Sequence, residues 1–136
     1  MTSAGMLKAH PHPIQLDSEL LTAAVDALVD CAQACDACAD ACLAEDMLAE
    51  LRRCIRLDLD CADICRATAA VFSRQTEADW RVMRSLLAAC ITACAACASE
   101  CEQHAAMHAH CRICAAACRA CERACDDLLD AMPTAL

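Results

Sequence analysis

The chain has 136 residues, enough for one compact domain, and a formal net charge of −9. It contains one Gly, three Pro, one Phe, one Trp and no Tyr. This composition favours helix and excludes a β-rich fold, which needs turn residues that are missing here. The acidic balance argues against a nucleic-acid partner, which requires clustered Lys and Arg, and is typical of a solvated surface.

The first sixteen residues, MTSAGMLKAHPHPIQL, lack the apolar run of a signal peptide. We also expect no stretch of the chain to reach the length of a membrane span, and hence no membrane partner. Together these features predict a cytoplasmic protein. Disulfides do not persist in that compartment, so the cysteines should be reduced.

Residues 1–16 are predicted to form an arm that precedes a domain at 17–136. The sequence His10-Pro11-His12-Pro13 is incompatible with helix, because proline disfavours helix at its own position and at the one before. We expect this arm to be disordered, so that His10 and His12 bind metal weakly at most.

Four helices of similar length are predicted after the arm. They should cover about residues 17–43, 48–72, 76–103 and 107–131. Thr76 and Asp79 resemble a capping box at the start of the third helix, and Pro133 stops the fourth. Short connections between helices of this length predict an all-α, up-down-up-down antiparallel four-helix bundle.

Cysteine spacing is the most informative feature of the chain. The first and third predicted helices each carry a C-x3-C-x2-C-x3-C run, and the second carries the same run with Asp58 at one of its four positions. Offsets of 0, 4, 7 and 11 fall within an arc of about 60° on a helix, so each run is a stripe on one face. The sixteen cysteines are Cys31, Cys35, Cys38, Cys42, Cys54, Cys61, Cys65, Cys90, Cys94, Cys97, Cys101, Cys111, Cys114, Cys118, Cys121 and Cys125.

Charged residues occupy the other helical faces, which predicts that the sulfur faces point inward. The cysteines lie in the second half of the first and third helices and in the first half of the second and fourth. In an up-down-up-down bundle these half-helices share one level, so all the thiols should line one half of the core. The remaining stripe positions predict an apolar plug in the other half, formed by Leu21, Leu28, Phe72, Trp80, Met83, Leu87, Leu128, Leu129 and Met132.

The spacing of the thiols favours metal binding over disulfides. Residues i and i+4 of a helix have Cβ atoms about 5–6 Å apart, whereas a disulfide needs about 3.5–4.5 Å. A metal that bridges two sulfurs at about 2.3 Å each spans about 4.6 Å. Soft thiolates select Cu(I), zinc or iron–sulfur clusters, and helical pairs serve low-coordinate Cu(I) directly. The sequence therefore predicts storage of many Cu(I) ions in the core, with neutral thiols before filling and proton release on filling.

Other functions remain open on this pattern. Zinc or mixed soft-metal storage and detoxification, a thiol redox buffer, and a core that merely tolerates cysteine are the alternatives. An enzyme is not expected, because the chain has no exposed C-x-x-C at a helix start and no di-iron E-x-x-H motif.

Asp58 stands where the stripe predicts a cysteine, and two interpretations are open. Its carboxylate either accepts hydrogen bonds from thiols or coordinates metal in the core, or the helix is turned so that the side chain reaches solvent.

Histidine and methionine follow the third helix at the sulfur-rich end. His104 stays on the stripe of Cys101, and Met107 precedes Cys111 by four residues. Imidazole and thioether are suitable transfer ligands for Cu(I), so His104, Met107 and His108 are predicted to form an uptake port. Met47 and His110 are close by in sequence. A solvated turn that happens to contain histidine is the alternative, above all for His110.

The cysteine pairs at 31–42, 61–65, 90–101 and 114–125 resemble those of the bacterial copper storage proteins, over roughly residues 17–131. The absent signal peptide and the histidine-bearing turn resemble the cytosolic branch of that family. The resemblance implies polynuclear Cu(I)–thiolate binding by the sixteen cysteines, a role in copper homeostasis and assembly into homotetramers. It identifies no copper donor or acceptor protein, and Asp58 departs from the family's thiolate row.

Overall fold

The computed structural model describes residues 2–133. Five α-helices and one short 3-10 helix follow one another along this part of the chain. They are α1 (Ser3–Lys8), α2 (Ser18–Leu43), the 3-10 helix (Leu48–Leu51), α3 (Arg52–Phe72), α4 (Trp80–His104) and α5 (Ala109–Ala131).

The four long helices α2 to α5 form the predicted bundle. Helix α2 packs against α3 and α5, and α4 packs against the same two helices, so the four helices stand at the corners of a square. Because each connection is short, successive helices run in opposite directions. The prediction of an all-α antiparallel four-helix bundle is confirmed.

Aspartates begin two of these helices. The Asp17 carboxylate accepts hydrogen bonds from the backbone N–H groups of Glu19 and Leu20, both at 3.0 Å. Asp79 does the same for Arg81 and Val82, so Asp79 itself is the N-cap of α4. The predicted capping box that starts at Thr76 was wrong, because the carboxylate satisfies the first free N–H groups from a position outside the helix.

The expectation of a disordered arm was also wrong. Residues Ser3–Lys8 form α1, and the side chains of Leu7 and Leu16 are buried against the bundle. Beyond the helix, His10 Nε2 lies 3.1 Å from Thr76 Oγ1 in the α3–α4 connection. Two buried leucines and this hydrogen bond hold the arm against α2 and the adjoining loop, along the half of α2 that carries no cysteine.

The core of the bundle is divided into two halves. At the level of the α2–α3 and α4–α5 turns it is filled by cysteine, and at the opposite level by large apolar side chains. Members of the predicted apolar plug that are buried include Leu21, Leu28, Phe72, Met83, Leu87, Leu128 and Met132. Trp80 and Leu129 pack against that cluster and are partly buried.

Helix α4 is long and apolar enough to cross a membrane by length and composition, with a mean hydropathy of 1.6 over an 18-residue window. The expectation that no stretch reaches this length was wrong, because cysteine and alanine count as apolar and replace charged residues here. In the structure one face of α4 is buried in the bundle, including Leu87, Cys90 and Cys97. A core helix of a bundle has the same composition as a membrane span.

Candidate metal centre

All sixteen cysteine side chains are free thiols buried in the core, each with an exposed fraction of 0% or 1%. Neighbouring sulfurs lie 3.6 to 3.9 Å apart, the closest being Cys35 and Cys118. Three sulfurs around one ion, each at about 2.3 Å, are about 4.0 Å from one another. The thiols are thus already spaced for a three-coordinate soft ion, and linear coordination needs only a small separation of the sulfurs.

The core contains several groups of four donor atoms, and the atoms of each group lie within 4.8 Å of one another. Among the inner groups, one or two thiols of each group also belong to the next, and the outer group shares Cys38 and Cys54 with a group that contains Asp58. A thiolate can bridge two ions, and such overlap allows ions to fill the core as a continuous cluster. The groups include Cys31–Cys65–Cys94–Cys121, Cys31–Cys35–Cys61–Cys118, Cys35–Cys97–Cys114–Cys118 and Cys38–Cys42–Cys54–Cys111.

Burial of the thiols in the core favours their neutral form. Burial raises the pKa of Cys42, and it raises the pKa of Cys111 to about 11. Contacts with neighbouring thiols, together with burial, raise the pKa of Cys35, Cys94 and Cys125. Each ion that binds must displace protons, and each monovalent ion neutralises one buried thiolate charge.

Asp58 is fully buried among the thiols. Its Oδ1 accepts hydrogen bonds from Cys97 at 3.1 Å, from Cys114 at 3.3 Å and from Cys101 at 3.5 Å. The geometry selects the first of the two interpretations, in which the carboxyl group belongs to the core, over the one in which it reaches solvent. Burial raises the pKa of Asp58 to about 8, so the group retains its proton at neutral pH.

Asp58 lies between two sets of thiols. Its Oδ2 also accepts a hydrogen bond from Cys54 at 3.9 Å. The outer set, next to the turns, consists of Cys38, Cys42, Cys54, Cys101 and Cys111. The inner set, next to the apolar plug, consists of Cys31, Cys35, Cys61, Cys65, Cys90, Cys94, Cys97, Cys114, Cys118, Cys121 and Cys125. The carboxyl group therefore contacts both sets.

Two histidines, His108 and His110, lie next to the outer set of thiols. His110 Nδ1 lies 3.4 Å from Cys38 Sγ and 3.6 Å from Cys111 Sγ. The ring of His108 is stacked on that of His110, with centroids 5.4 Å apart. Glu45 Oε2 lies 2.9 Å from His110 Nε2 and 2.7 Å from His108 Nδ1. The hydrogen bond from His110 holds the pKa of Glu45 below its usual value.

The other predicted port residues, His104 and Met107, lie at the same end of the bundle. Within residues 2–133, neither forms a hydrogen bond with a cysteine sulfur. His104 Nε2 lies 2.7 Å from Glu100 Oε2, and Arg53 Nε lies 3.6 Å from the other oxygen of that carboxylate. Met107 is 68% exposed. The sequence places Glu100 among the charged residues that flank the sulfur stripe. In the structure it is buried, with His104 and Arg53 next to its carboxylate.

Sequence reasoning left His110 and Glu45 out of the port. His110 precedes Cys111 directly, and that adjacency is the signal that places its ring beside the outer thiols. Glu45 gives no such signal, because it lies in a turn and meets the histidines only through the packing of α2 against α5. The port thus combines a residue of the α2–α3 connection, Glu45, with histidines at the start of α5.

Known proteins resemble this chain in sequence and in fold. Residues 17–130 match the model of the copper storage protein family. A cysteine-rich protein of Bacillus subtilis, YhjQ, whose function is uncharacterized, is 42% identical over 68 residues. That match spans 50% of this chain and 59% of the relative's length.

Three solved structures share the fold. The copper storage protein Ccsp of Streptomyces lividans, loaded with 10 copper equivalents, has a TM-score of 0.95 and 52% identity, covering 96% of this chain and 100% of its own. A cytosolic copper storage protein of the same organism, with five coppers, has a TM-score of 0.83 and 56% identity, covering 85% and 96%. A copper storage protein in its Cu(I)-bound form has a TM-score of 0.72 and 37% identity, covering 81% and 98%. On the family match and these likenesses together, the chain belongs to the copper storage protein family.

Proposed function

We propose that the protein stores Cu(I) in the cytoplasm, held by the sixteen core thiols. The single observation that carries this function is the network of sixteen buried free sulfurs, in which the closest neighbours lie 3.6 to 3.9 Å apart. Such a network has many equivalent places for a soft ion and no open coordination position for a substrate. The copper-bound state of three structural relatives supports the same reading.

The charge balance of the buried core favours a monovalent ion. Replacement of one thiol proton by one Cu(I) leaves the core neutral, so filling can continue without a growing buried charge. A divalent ion held by four thiolates leaves two negative charges in an apolar surrounding. Low-coordinate Cu(I) therefore suits this core better than zinc, which prefers four ligands in a tetrahedral array.

Asp58 links the outer and inner sets during filling. Its carboxyl group contacts Cys54 and Cys101 on one side and Cys97 and Cys114 on the other. An ion that moves inward therefore meets an oxygen ligand where the sulfur row is interrupted. A hard oxygen holds Cu(I) weakly, so the ion passes on to the next thiols.

Copper enters at the turns, past His104, Met107 and His108, and we add His110 to this port. His110 is the imidazole that reaches the outer thiols, whereas exposed Met107 is placed to take the ion from solution or from a donor. The protein works without catalysis, as residues 17–136 form a metal-binding domain whose only chemistry is exchange of protons for copper. Homotetramer assembly, implied by the family, completes the proposal.

The test is anaerobic titration of the reduced protein with Cu(I), followed by a free-thiol assay on the same samples. Storage predicts that many equivalents bind and that thiol reactivity falls in parallel with filling. Binding of one equivalent or none contradicts storage. Loss of thiols without bound copper indicates a redox buffer, and preferential filling by zinc in competition indicates mixed-metal storage.

A matched pair of variants locates the copper. Replacement of Cys31, Cys61 and Cys94 by serine removes three inner thiols and should lower the number of ions bound. Ala62→Ser places one hydroxyl at a buried position beside Cys61 and removes no thiol, so its capacity should equal that of the unaltered protein. Equal capacities in the two variants would place the copper outside the inner set.

A further inference from the structure

One carboxylate contacts both histidines that stand over the outer thiols. Glu45 belongs to the α2–α3 turn, whereas His108 and His110 belong to the start of α5. The same oxygen, Oε2, lies 2.7 Å from His108 Nδ1 and 2.9 Å from His110 Nε2. The contact joins the two turns at the sulfur-rich end, and each imidazole uses a different ring nitrogen in it.

The contact determines where each ring carries its hydrogen. An ionised carboxylate can only accept hydrogen bonds, so His110 carries a hydrogen on Nε2. His108 carries one on Nδ1, because a lone pair at 2.7 Å from the carboxylate oxygen would be repelled. In a neutral imidazole the second nitrogen is then unprotonated. The free lone pairs are those of His108 Nε2 and His110 Nδ1.

The lone pair of His110 faces sulfur. Its Nδ1 is 3.4 Å from Cys38 Sγ and 3.6 Å from Cys111 Sγ, close enough to share a soft ion with either thiol after small movements. If the hydrogen were on Nδ1 instead, the ring would present a donor to the thiols and could not bind a cation through that nitrogen. Carboxylates that hold the non-ligating nitrogen of a histidine are a general device of metal sites.

We propose that Glu45 is a positioning residue for copper uptake, which sets the tautomers of His108 and His110 so that Cu(I) passes from one imidazole to the other and then to Cys38 and Cys111. This inference rests on the proposed storage function and assigns a role to a residue that does not touch the metal. Copper remains Cu(I) throughout. The two imidazoles bind it through lone pairs and release it again, and each thiol that takes it up loses one proton to solvent.

A simpler role for Glu45 is attraction of the cation by its negative charge. Asp46 separates the two roles, since it is the next residue in the same turn, is exposed, and forms no ion pair with any of residues 2–133. Asp46→Ala removes the same charge from the same turn and leaves the histidine contacts in place. Glu45→Gln removes the charge but keeps a carbonyl oxygen that can accept a ring N–H.

The tautomers are measured first, by nitrogen NMR of histidine-labelled, reduced, copper-free protein. We expect His108 to carry its hydrogen on Nδ1, which is the minor form of imidazole in water, and His110 to carry it on Nε2. In Glu45→Ala, His108 should return to the Nε2–H form, whereas Asp46→Ala should not change it. An Nε2–H form of His108 in the unaltered protein overturns the proposal, as does an Nδ1–H form in Glu45→Ala.

Uptake is measured next, by stopped-flow mixing with a Cu(I) complex under anaerobic conditions. Glu45→Ala should slow uptake about 10–100-fold, the usual effect of removing such a carboxylate, without change in the number of ions bound at equilibrium. Glu45→Gln should be slowed less, and Asp46→Ala should match the unaltered protein. In a background that lacks both rings, His108→Ala with His110→Ala, Glu45→Ala should produce no further slowing.

Equal slowing by Asp46→Ala and Glu45→Ala assigns the effect to charge and overturns the positioning role. Further slowing by Glu45→Ala in the variant that lacks both histidines also overturns it, because the carboxylate would then act apart from both rings. If the unaltered protein binds no Cu(I), the storage function fails, and the NMR result still reports whether Glu45 sets the tautomers. The two failures are therefore distinguishable.

Discussion

The two halves of the bundle core are built on the same four helical stripes but filled with different side chains. Toward the α3–α4 connection the stripes present Leu21, Phe72 and Leu87, and toward the opposite end they present only cysteine and Asp58. A buried leucine or phenylalanine contributes about 1.5–3 kcal/mol by leaving water, whereas a thiol is smaller and contributes less. The apolar half stabilises the fold, so the sulfur half can bind and release copper.

This division means that the fold does not depend on the metal. Small metal-binding domains that lack a sufficient core unfold when the ion is removed. Here the apolar plug lies outside the sulfur half, so we expect the bundle to stay folded without metal. A protein that must fill and release its cargo benefits from that arrangement, since both states keep the same scaffold.

The largest expected effect comes from Phe72→Ala in the apolar half. Removal of this fully buried ring should lower the free energy of unfolding of the copper-free protein by about 3–5 kcal/mol. Cys61→Ala in the sulfur half should lower it by about 1–2 kcal/mol, because only one sulfur atom is lost. Urea denaturation in reductant measures both. A greater loss for Cys61→Ala would show that the sulfur half, and not the plug, stabilises the fold.

A second prediction concerns Asp58, the carboxyl group that contacts the thiols. Asp58 has its pKa raised from 3.8 to about 8, so the folded chain retains a proton that the unfolded chain releases above its ordinary pKa. The stability of the copper-free protein should therefore fall as pH rises from about 5 to about 8, by on the order of 3 kcal/mol from this group.

Asp58→Asn tests this dependence, because the amide keeps the shape and cannot ionise. Its free energy of unfolding should decline less over the same pH range, measured by denaturation at several pH values. Asp126→Asn is the matched control, since Asp126 is exposed on α5. If Asp58→Asn and the unaltered protein change in parallel with pH, the buried carboxyl group is not the titrating group.

Much of this architecture could be predicted from the sequence, because it depends on periodicity. The offsets between cysteines place each row on one helical face, and alternation of helix direction brings the rows to one level. The position of Phe72 at the end of a stripe similarly predicts its burial. These inferences use only spacing and chain order, which the sequence states directly.

The parts that could not be predicted depend on contacts between distant segments. Glu45 reaches His110 across the bundle end, and Glu100 is buried beside His104 and Arg53. The helix α1 forms because Leu7 has a place to pack on α2, although the prolines that follow suggested disorder. A polar residue in a turn carries no periodic signal, so its partner is visible only in the folded structure.

A third prediction compares the two ends of the sulfur half with single substitutions. Cys111→Ser removes an outer thiol beside His110, and Cys125→Ser removes an inner thiol next to the plug. Both should lower copper capacity by a similar small amount. Cys111→Ser should also slow uptake several-fold, because copper meets that thiol first, whereas Cys125→Ser should leave the initial rate unchanged. Equal initial rates in the two variants would argue for uptake along the whole bundle.

The smallest expected effect comes from a substitution in the arm, which lies apart from the sulfur half of the core. His10→Ala removes the contact at 3.1 Å with Thr76, an exposed hydrogen bond worth about 0.5–1 kcal/mol at most. The loss should appear as faster hydrogen exchange in Ser3–Lys8, because the arm is held by few other contacts. Copper capacity and uptake rate should not change, since the arm packs along the apolar half of α2. A change in uptake would mean that the arm is coupled to the sulfur half, and the division of the core into a stabilising part and a storage part would then be incomplete.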